Sequence, residues 1–353
     1  MIRPARPDDI DAIKAIADRN KRELGFVMRS ALIEAQARGE LLVAVEGEQV
    51  VGFVNYRTLT RVRPGWRTVY EICVDEAARG QGYGTALLDA VPRPVRLKCP
   101  VDLPSNEFYR RYGLLNVWTE ERDGKRSLNV WQTQPDVIYC AGGNKRLAAI
   151  ARDAGMLYGT RHDDTPAFKP YMMDINWKRY DWHGDYLRKV EKWRPVMAMV
   201  PDYETPEHRG RMVAMARQLV ERGVERVMVC PKFPGAVDDI PDWCLVAVSV
   251  PTKYGGFLPD PSELRGRRVH LLGGSPQTQM RLAREYAGRG ITVSSVDGNS
   301  WQGHAQHGVL WVRGRWVTMR PTERLELGEK AAISAMNIMA AWRERQPAQL
   351  PLF

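Results

Sequence analysis

The sequence predicts an α/β protein of two domains: a mixed, mostly antiparallel sheet with helices, followed by a compact (β/α)8 barrel. Three observations predict it. At 353 residues the chain is long enough for two domains. A glycine loop, Arg79-Gly80-Gln81-Gly82-Tyr83-Gly84-Thr85, lies between a strand-like and a helix-like segment. From Val137 onward, eight short apolar segments run in series with helical patterns between several of them, which is the rhythm of a parallel sheet.

In the first domain Ile2–Pro4 begins a strand. Asp8–Ala17 sets Ile10, Ile13 and Ile16 at helical spacing, with acidic residues in the first turn. Met28–Ala37 reads as a second helix. Leu41–Glu46 and Val50–Thr58 read as strands around Glu46-Gly47-Glu48, and Trp66–Val74 as a third long strand. After the glycine loop come a helix over Thr85–Val91, a strand over Val95–Cys99 and a short helix over Asn106–Tyr112 ended by Gly113. Leu114–Glu121 and Ser127–Thr133 form a hairpin around Asp123-Gly124. Gln132–Pro135 serves as linker, so the first domain spans residues 1–133.

Composition narrows the classes. With 44% hydrophobic and 27% charged residues the chain is ordinary for a globular protein. No apolar run approaches the roughly 18 residues of a membrane span, and the N-terminus has no stretch of signal-peptide length. The expectation is an intracellular, cytoplasmic protein with no membrane partner. Cys73, Cys99, Cys140, Cys230 and Cys244 are scattered singly, without zinc-ligand spacing or a disulfide framework. They read as small buried side chains, and no metal is expected. Residues 1–133 hold 21 Lys and Arg against 18 Asp and Glu, so most of the net charge of +10 lies in the rest of the chain. A basic second domain fits a polyanionic partner such as DNA or RNA. The oligomeric state stays open.

The glycine loop carries the first chemistry. Glycines let backbone N–H groups approach a pyrophosphate with no Cβ in the way, and the helix N-terminus beyond adds unpaired donors and positive potential. The strand Val69-Tyr70-Glu71-Ile72-Cys73-Val74, the loop (which satisfies R-x-x-G-x-G) and Phe108-Tyr109-Arg110-Arg111-Tyr112-Gly113 together resemble the GNAT superfamily of N-acetyltransferases. The resemblance covers almost all of residues 1–133. It implies acetyl-CoA as donor, held by Val74, Arg79, Gly80, Gln81, Gly82, Gly84 and Thr85. It also implies Glu71 as the base for the amine, directly or through water, and Tyr109 as the acid for the departing thiolate. The family's N-x-x-A-x-x-F-Y approach is altered here, with Asp102 and Ser105 in the Asn and Ala positions.

In the second domain, residues 136–308, the strand candidates are Val137–Cys140, Met156–Gly159, Tyr171–Ile175, Val196–Val200, Arg226–Cys230, Leu245–Val250, His270–Leu272 and Thr292–Val296. Helical patterns fall on Lys145–Ala154, Gly184–Trp193, His208–Arg222 and Gln277–Gly288. A closed barrel fits eight strands in series, although the segment is shorter than the typical ~250 residues. A doubly wound open sheet is the alternative. In a barrel the active groups follow strand C-termini, and polar residues stand there: Gly142-Gly143-Asn144, Asp174, Pro201-Asp202, Pro231-Lys232, Ser249 with Pro251-Thr252-Lys253-Tyr254, Gly273-Gly274-Ser275-Pro276 and Asp297-Gly298-Asn299.

Tyr171-Met172-Met173-Asp174, Val269-His270-Leu271-Leu272-Gly273-Gly274-Ser275-Pro276 and Val293-Ser294-Ser295-Val296-Asp297-Gly298-Asn299 resemble the tRNA-guanine transglycosylase superfamily, especially its DpdA-like relatives that insert deazapurines into DNA. The resemblance implies Asp297 as the carboxylate nucleophile that holds the sugar C1 and Asp174 as the acid/base group for the two bases. It implies Asp202 as a reader of the base edge, with Ser249, Gly273 and Gly274 lining the base pocket and Asn299 and Lys232 also on the substrate. Two departures stand out: the zinc run of the tRNA enzymes is missing, and Lys232 replaces their base-reading glutamine. A hydrolytic glycosylase would use the same pair of carboxylates.

Trp177-Lys178-Arg179-Tyr180-Asp181-Trp182-His183, with Arg188, Lys189, Lys192, Trp193 and Arg194, interleaves aromatic and basic residues. Such a segment can stack on unpaired bases and meet phosphates. A helix with a tryptophan core face and a solvated basic face is the other reading. His304 and His307 read as structural or rim residues. In residues 309–353, Val309–Val317 forms a hairpin around Arg313-Gly314 and Leu325–Arg343 a long helix, both packing on the barrel. The expected function is a nucleic-acid-modifying enzyme, with DNA preferred, whose barrel exchanges a purine and whose first domain acetylates an amine on that base or its precursor. The alternative is an acetyltransferase of a small amine or protein with a recognition module.

Overall fold

The structure is a computed structural model that describes residues 1–60, 63–176, 182–251, 256–320 and 325–344. The chain divides into two compact units, Met1–Thr133 and Gln134–Phe353.

The first unit runs β1 (Ile2–Pro4), α1 (Ile10–Arg19), α2 (Lys21–Leu24), α3 (Arg29–Ala37), β2 (Leu41–Glu46), β3 (Gln49–Thr58), β4 (Arg67–Val74), α4 (Tyr83–Ala90), β5 (Val95–Pro100), α5 (Ser105–Tyr112), β6 (Leu115–Glu120) and β7 (Leu128–Gln132). Its seven strands form one sheet in the order β1-β2-β3-β4-β5-β7-β6. Every pair is antiparallel except β4–β5. Both faces are covered, which is why β2 and β3 are apolar without alternation. Ile13, Ile16, Leu32 and Phe53 fill one face, and Val54, Leu87, Leu97 and Trp131 the other. Sequence reasoning did not foresee α2, a single turn held off α1 by Asn20.

The second unit runs β8 (Asp136–Cys140), α6 (Lys145–Asp153), β9 (Leu157–Arg161), β10 (Met172–Asp174), α7 (Trp182–Trp193), β11 (Met197–Met199), α8 (Arg209–Glu221), β12 (Arg226–Val229), β13 (Leu245–Ser249), β14 (Arg268–Leu272), α9 (Pro276–Ala287), β15 (Thr292–Gly298), α10 (Ser300–Gln306), β16 (Val309–Val312), β17 (Arg315–Thr318) and α11 (Leu327–Glu344). The eight strands β8 to β15 close into a parallel barrel, and the open-sheet alternative falls away. Among the described residues no helix follows β9, β12 or β13. Dropping three helices is how the barrel fits a segment shorter than usual. Asn144 and Ser275 cap α6 and α9 by accepting the N–H groups of Leu147 and Thr278.

The N-terminal end of the barrel is closed by charge. Arg226, at the start of β12, sets Nη1 3.1 Å from Asp136 Oδ2 at the start of β8, and both side chains are buried. Tyr171 donates its hydroxyl to the same oxygen at 2.9 Å. Burial, with Arg226 beside it, pulls the Arg268 guanidinium down from its usual value. Among the described residues no helix is long and apolar enough to cross a membrane.

Candidate functional site

In the first unit the site begins where β4 and β5 part. They pair only through Arg67↔Val95, Thr68↔Arg96 and Val69↔Leu97. Beyond Val69 the outer edge of β4 carries no ladder to β5. A register shift opposite Asn55 and Tyr56 leaves Tyr70 as the extra residue of a bulge and brings Glu71 opposite Asn55. Asp75 donates to Val51 O across the other edge, so the alternation of an antiparallel ladder turns the Val74 N–H and carbonyl toward the open side.

The loop that follows has the backbone a pyrophosphate needs. Gly80 and Gly82 sit at φ 79° and 82°, the left-handed region that side chains resist. Gly82 caps α4, whose first-turn N–H groups lack helical partners. A Cβ on Gly84 would stand 3.2 Å from the Phe108 ring, so this glycine lets α5 pack on the loop. Gln81 and Thr85 are exposed beside it. Arg79 does not face this cradle. Its Nη2 donates to Asn20 Oδ1 at 2.6 Å and its Nε to Val74 O at 3.2 Å, which braces the loop against the α1–α2 junction and leaves the Val74 N–H as the open group. These residues fit a coenzyme A donor: an open strand edge for its amide arm and a glycine-capped helix for its pyrophosphate.

Glu71 accepts Asn55 Nδ2 at 2.7 Å. Burial raises its carboxyl above the ordinary value, and the Asn55 bond offsets part of that rise. Tyr109 lies in the core between Phe108 and Trp131, with ring centroids 5.4 and 6.0 Å away. Burial pushes its hydroxyl far above the usual range, which keeps it protonated. Asp102 faces Arg126 at the surface and Ser105 meets Cys99 Sγ. The structural hub is Asn106, which sequence reasoning missed: Nδ2 donates to Pro100 O, and Oδ1 accepts Asn129 Nδ2 and Trp131 Nε1.

In the second unit the barrel residues singled out in the sequence lie at the C-terminal rim. Asp174 ends β10, Ser249 ends β13, Gly273 and Gly274 follow β14, and Asp297 lies next to the end of β15. A bulge at Ser294 shifts the β14–β15 register, so that Ser295 and Asp297 share a face with His270. His270 is fully buried, with Nδ1 2.8 Å from Ser295 Oγ and Nε2 3.2 Å from Asp297 Oδ1. The Gly273 N–H donates to the same Oδ1 at 2.8 Å. Gln279, buried on α9, donates to Gly273 O and Asp297 O at 2.7 and 2.6 Å and locks the two strand exits together.

Burial and the neighbouring Asp297 raise the Asp174 carboxyl to about 7; Asp202 adds to the rise, and the Ile175 N–H opposes it. Asp202 is held by Lys232 at 3.3 Å. Burial works against the Lys232 ammonium, but Cys230 and Asp202 hold it above its usual value. The bridge Tyr203↔Pro231 extends the β11–β12 pairing to this point and fixes the pair. A cleft of 160 Å³ opens beside Asp202, floored by Trp182, Met212 and Met215 and edged by His208 and Arg211. Asp164 joins the rim beneath Gly142, 3.3 Å from where a Cβ would stand. Asn299 is exposed at the start of α10. Among the described residues no cluster has the make-up of a metal site.

The aromatic and basic segment resolves in part. Trp182 is buried with Tyr186, Leu187 and Val190 on the inner face of α7, while Arg188 and Lys192 are exposed. Trp182 therefore packs in the body, because its helix needs that face for the core. Trp177 to Asp181, and Thr252, Lys253 and Tyr254, lie outside the described residues.

An open strand edge and a glycine-capped helix define an acyltransferase domain, and residues 37–113 match the model of the acetyltransferase (GNAT) domain. The N-terminal unit contains a GNAT acetyltransferase domain. Residues 151–343, over half of the chain, match a family of unknown function (DUF6610), and the chain belongs to that family. The match includes β9 to β15 and most of α11. The chain is similar to ribosomal-protein-alanine N-acetyltransferase from Brucella melitensis (22% identity, 37% of this chain and 98% of that one, TM-score 0.32). It is similar to an N-acetyltransferase from Staphylococcus aureus Mu50 (22%, 37% and 96%, TM-score 0.31). A third likeness is to N-acetylglutamate synthase from Neisseria gonorrhoeae complexed with coenzyme A and N-acetyl-glutamate (16%, 37% and 34%, TM-score 0.31). None of the curated proteins matches this chain.

Proposed function

We propose that the chain is a nucleic-acid-modifying enzyme in which the barrel exchanges a purine at a glycosidic bond and the GNAT domain acetylates an amine on that base or its precursor. DNA is the preferred substrate and acetyl-CoA the donor. The observation that carries the barrel reading is the environment of two carboxyl groups at one rim. Asp174 titrates at about 7 under burial and the charge of Asp297, while Asp297 is fixed through Oδ1 by His270 and Gly273. Carboxyl groups held in different environments are how one site keeps an acid beside a nucleophile.

The chemistry follows from that division. Asp297 attacks the sugar C1 and forms an ester-like bond as the bond to the departing base breaks; Asp174 gives its proton to that base. The entering base then loses a proton to Asp174 and attacks C1, and Asp297 leaves as the carboxylate. Asp202 and Lys232, with Ser249, Gly273, Gly274 and Asn299, surround the space for the base. A base in a duplex must leave the stack to reach such a pocket.

In the GNAT domain acetyl-CoA supplies the activated acetyl group. Val74 N–H, Gly80, Gly82, Gly84 and the first turn of α4 hold it, with Gln81 and Thr85 beside them. Glu71 takes the proton of the attacking amine and Tyr109 returns one to the thiolate.

The test compares nucleosides, by mass spectrometry, from DNA and RNA exposed to the wild type, Asp297→Ala and Glu71→Ala. A new nucleoside that needs Asp297, and that loses only an acetyl mass in Glu71→Ala, is expected. No altered nucleoside in any sample sinks the base-modification reading and leaves an acetyltransferase of a small amine or protein.

A further inference from the structure

Asp297 carries its protein hydrogen bonds on one side. Oδ1 receives His270 Nε2 at 3.2 Å and the Gly273 N–H at 2.8 Å, whereas among the described residues no bond is recorded to Oδ2. The base-exchange reading gave His270 no part. Yet a fully buried histidine in the middle of an apolar strand, bonded through both ring nitrogens, needs a reason for being there.

We infer that His270 is a positioning residue: with Ser295 behind it, its Nε2–H fixes Asp297 Oδ1 and so presents Oδ2 to the sugar. The inference rests on the base-exchange reading of the same rim. The ring's proton placement follows from the partners. An ionised carboxylate only accepts, so Nε2 carries hydrogen. In the neutral ring Nδ1 is then an acceptor, and the Ser295 hydroxyl can donate to it. The chain Ser295–His270–Asp297 runs inward from the strand that the Ser294 bulge realigned. The Gly273 N–H alone leaves the carboxylate free to swing about that bond. A second donor at Oδ1 sets its plane, the feature a nucleophile needs to reach C1 in line.

Two substitutions separate positioning from mere packing. A glutamine amide reaches the place of Nε2 and can still donate to Asp297, while an asparagine amide reaches only the place of Nδ1 beside Ser295. Release of radiolabelled purine from DNA by the full chain, with excess unlabelled purine present as the entering base, reads the effect. His270→Gln is expected to stay within about tenfold of the wild-type kcat, and His270→Asn to lose about 100-fold in kcat with KM unchanged. An asparagine variant with wild-type kcat overturns the proposal, as does a glutamine variant as impaired as the asparagine one. A second measurement does not depend on activity: long-range ¹H–¹⁵N NMR of the wild-type ring. A protonated Nε2 supports the pairing. An Nδ1–H ring with a bare Nε2 overturns it. If the wild type releases no base, the base-exchange reading fails by itself and the ring measurement still decides the bond.

Discussion

Asp297 Oδ1 accepts the backbone N–H of Gly273 at 2.8 Å, tying the end of one barrel strand to the turn that follows its neighbour. An amide in place of the carboxylate keeps the shape of this contact but cannot attack a sugar carbon. Asp297→Asn is therefore expected to abolish base release, by about 10⁴-fold or more, while its melting temperature stays within a few degrees of wild type. Calorimetry beside the release assay separates the two effects.

Asp174 makes stability depend on pH. An aspartate in an unfolded chain titrates near 4, and in the folded protein Asp174 titrates at about 7. Between those values the folded state binds more protons than the unfolded one, so this group's contribution to stability falls as pH rises from about 4 to about 7, then levels off. Asp174→Asn removes the penalty. It should stabilise the protein at pH 8 by on the order of 4 kcal/mol and change little at pH 4. Urea unfolding at the two pH values reads it; equal shifts at both would contradict the buried-carboxyl account.

Gly274 owes its place to close approach. A Cβ there would lie 2.3 Å from Val250 Cγ1, and φ is +83°. Gly274→Ala should cost about 2–3 kcal/mol. Adding Val250→Ala removes the Cγ1 clash but keeps the Val250 Cβ at 2.8 Å, so it should recover only part of the loss and leave the backbone strain, a difference that denaturant midpoints of the two variants resolve.

The barrel floor holds one carboxylate against Arg226, both buried. Arg226→Met takes the guanidinium away from the buried Asp136, which keeps the Tyr171 hydroxyl, and is expected to destabilise by about 3–5 kcal/mol, whereas the double variant with Asp136→Leu should recover most of the loss. Failure of the double variant to recover would show that the pair does more than balance charge.

For the acetyltransferase domain, Gly82→Val places a side chain at φ 82° on the cap of α4. It should weaken acetyl-CoA binding tenfold or more by calorimetry, about 1.4 kcal/mol. Glu71→Gln should leave that affinity unchanged, because Glu71 faces Asn55 on the strand and not the glycine loop.

The strands of the barrel were legible because each is a short apolar run bounded by Gly, Pro or Asp, and a closed parallel barrel buries both faces of every strand. Helices were harder: α6 to α9 follow the four helical patterns, but α10 was not foreseen, because seven residues carry too little apolar periodicity to stand out. At the site, Asp174, Asp202 and Asp297 were legible because carboxylates at strand exits break an apolar pattern. His270, Gln279 and Asn106 were not. Each acts through a partner distant in sequence, although a histidine inside the apolar run Val269–Leu272 was a signal in the sequence. Arg79 shows the opposite limit: its place in the loop pattern pointed to a phosphate, and its side chain braces Val74 instead.

The most direct test of the central claim uses DNA carrying radiolabelled purines, incubated with excess unlabelled purine as the entering base and with the wild type or Asp297→Asn. The account predicts labelled base released by the wild type and none by the variant. No release by the wild type, or equal release by both, would contradict it.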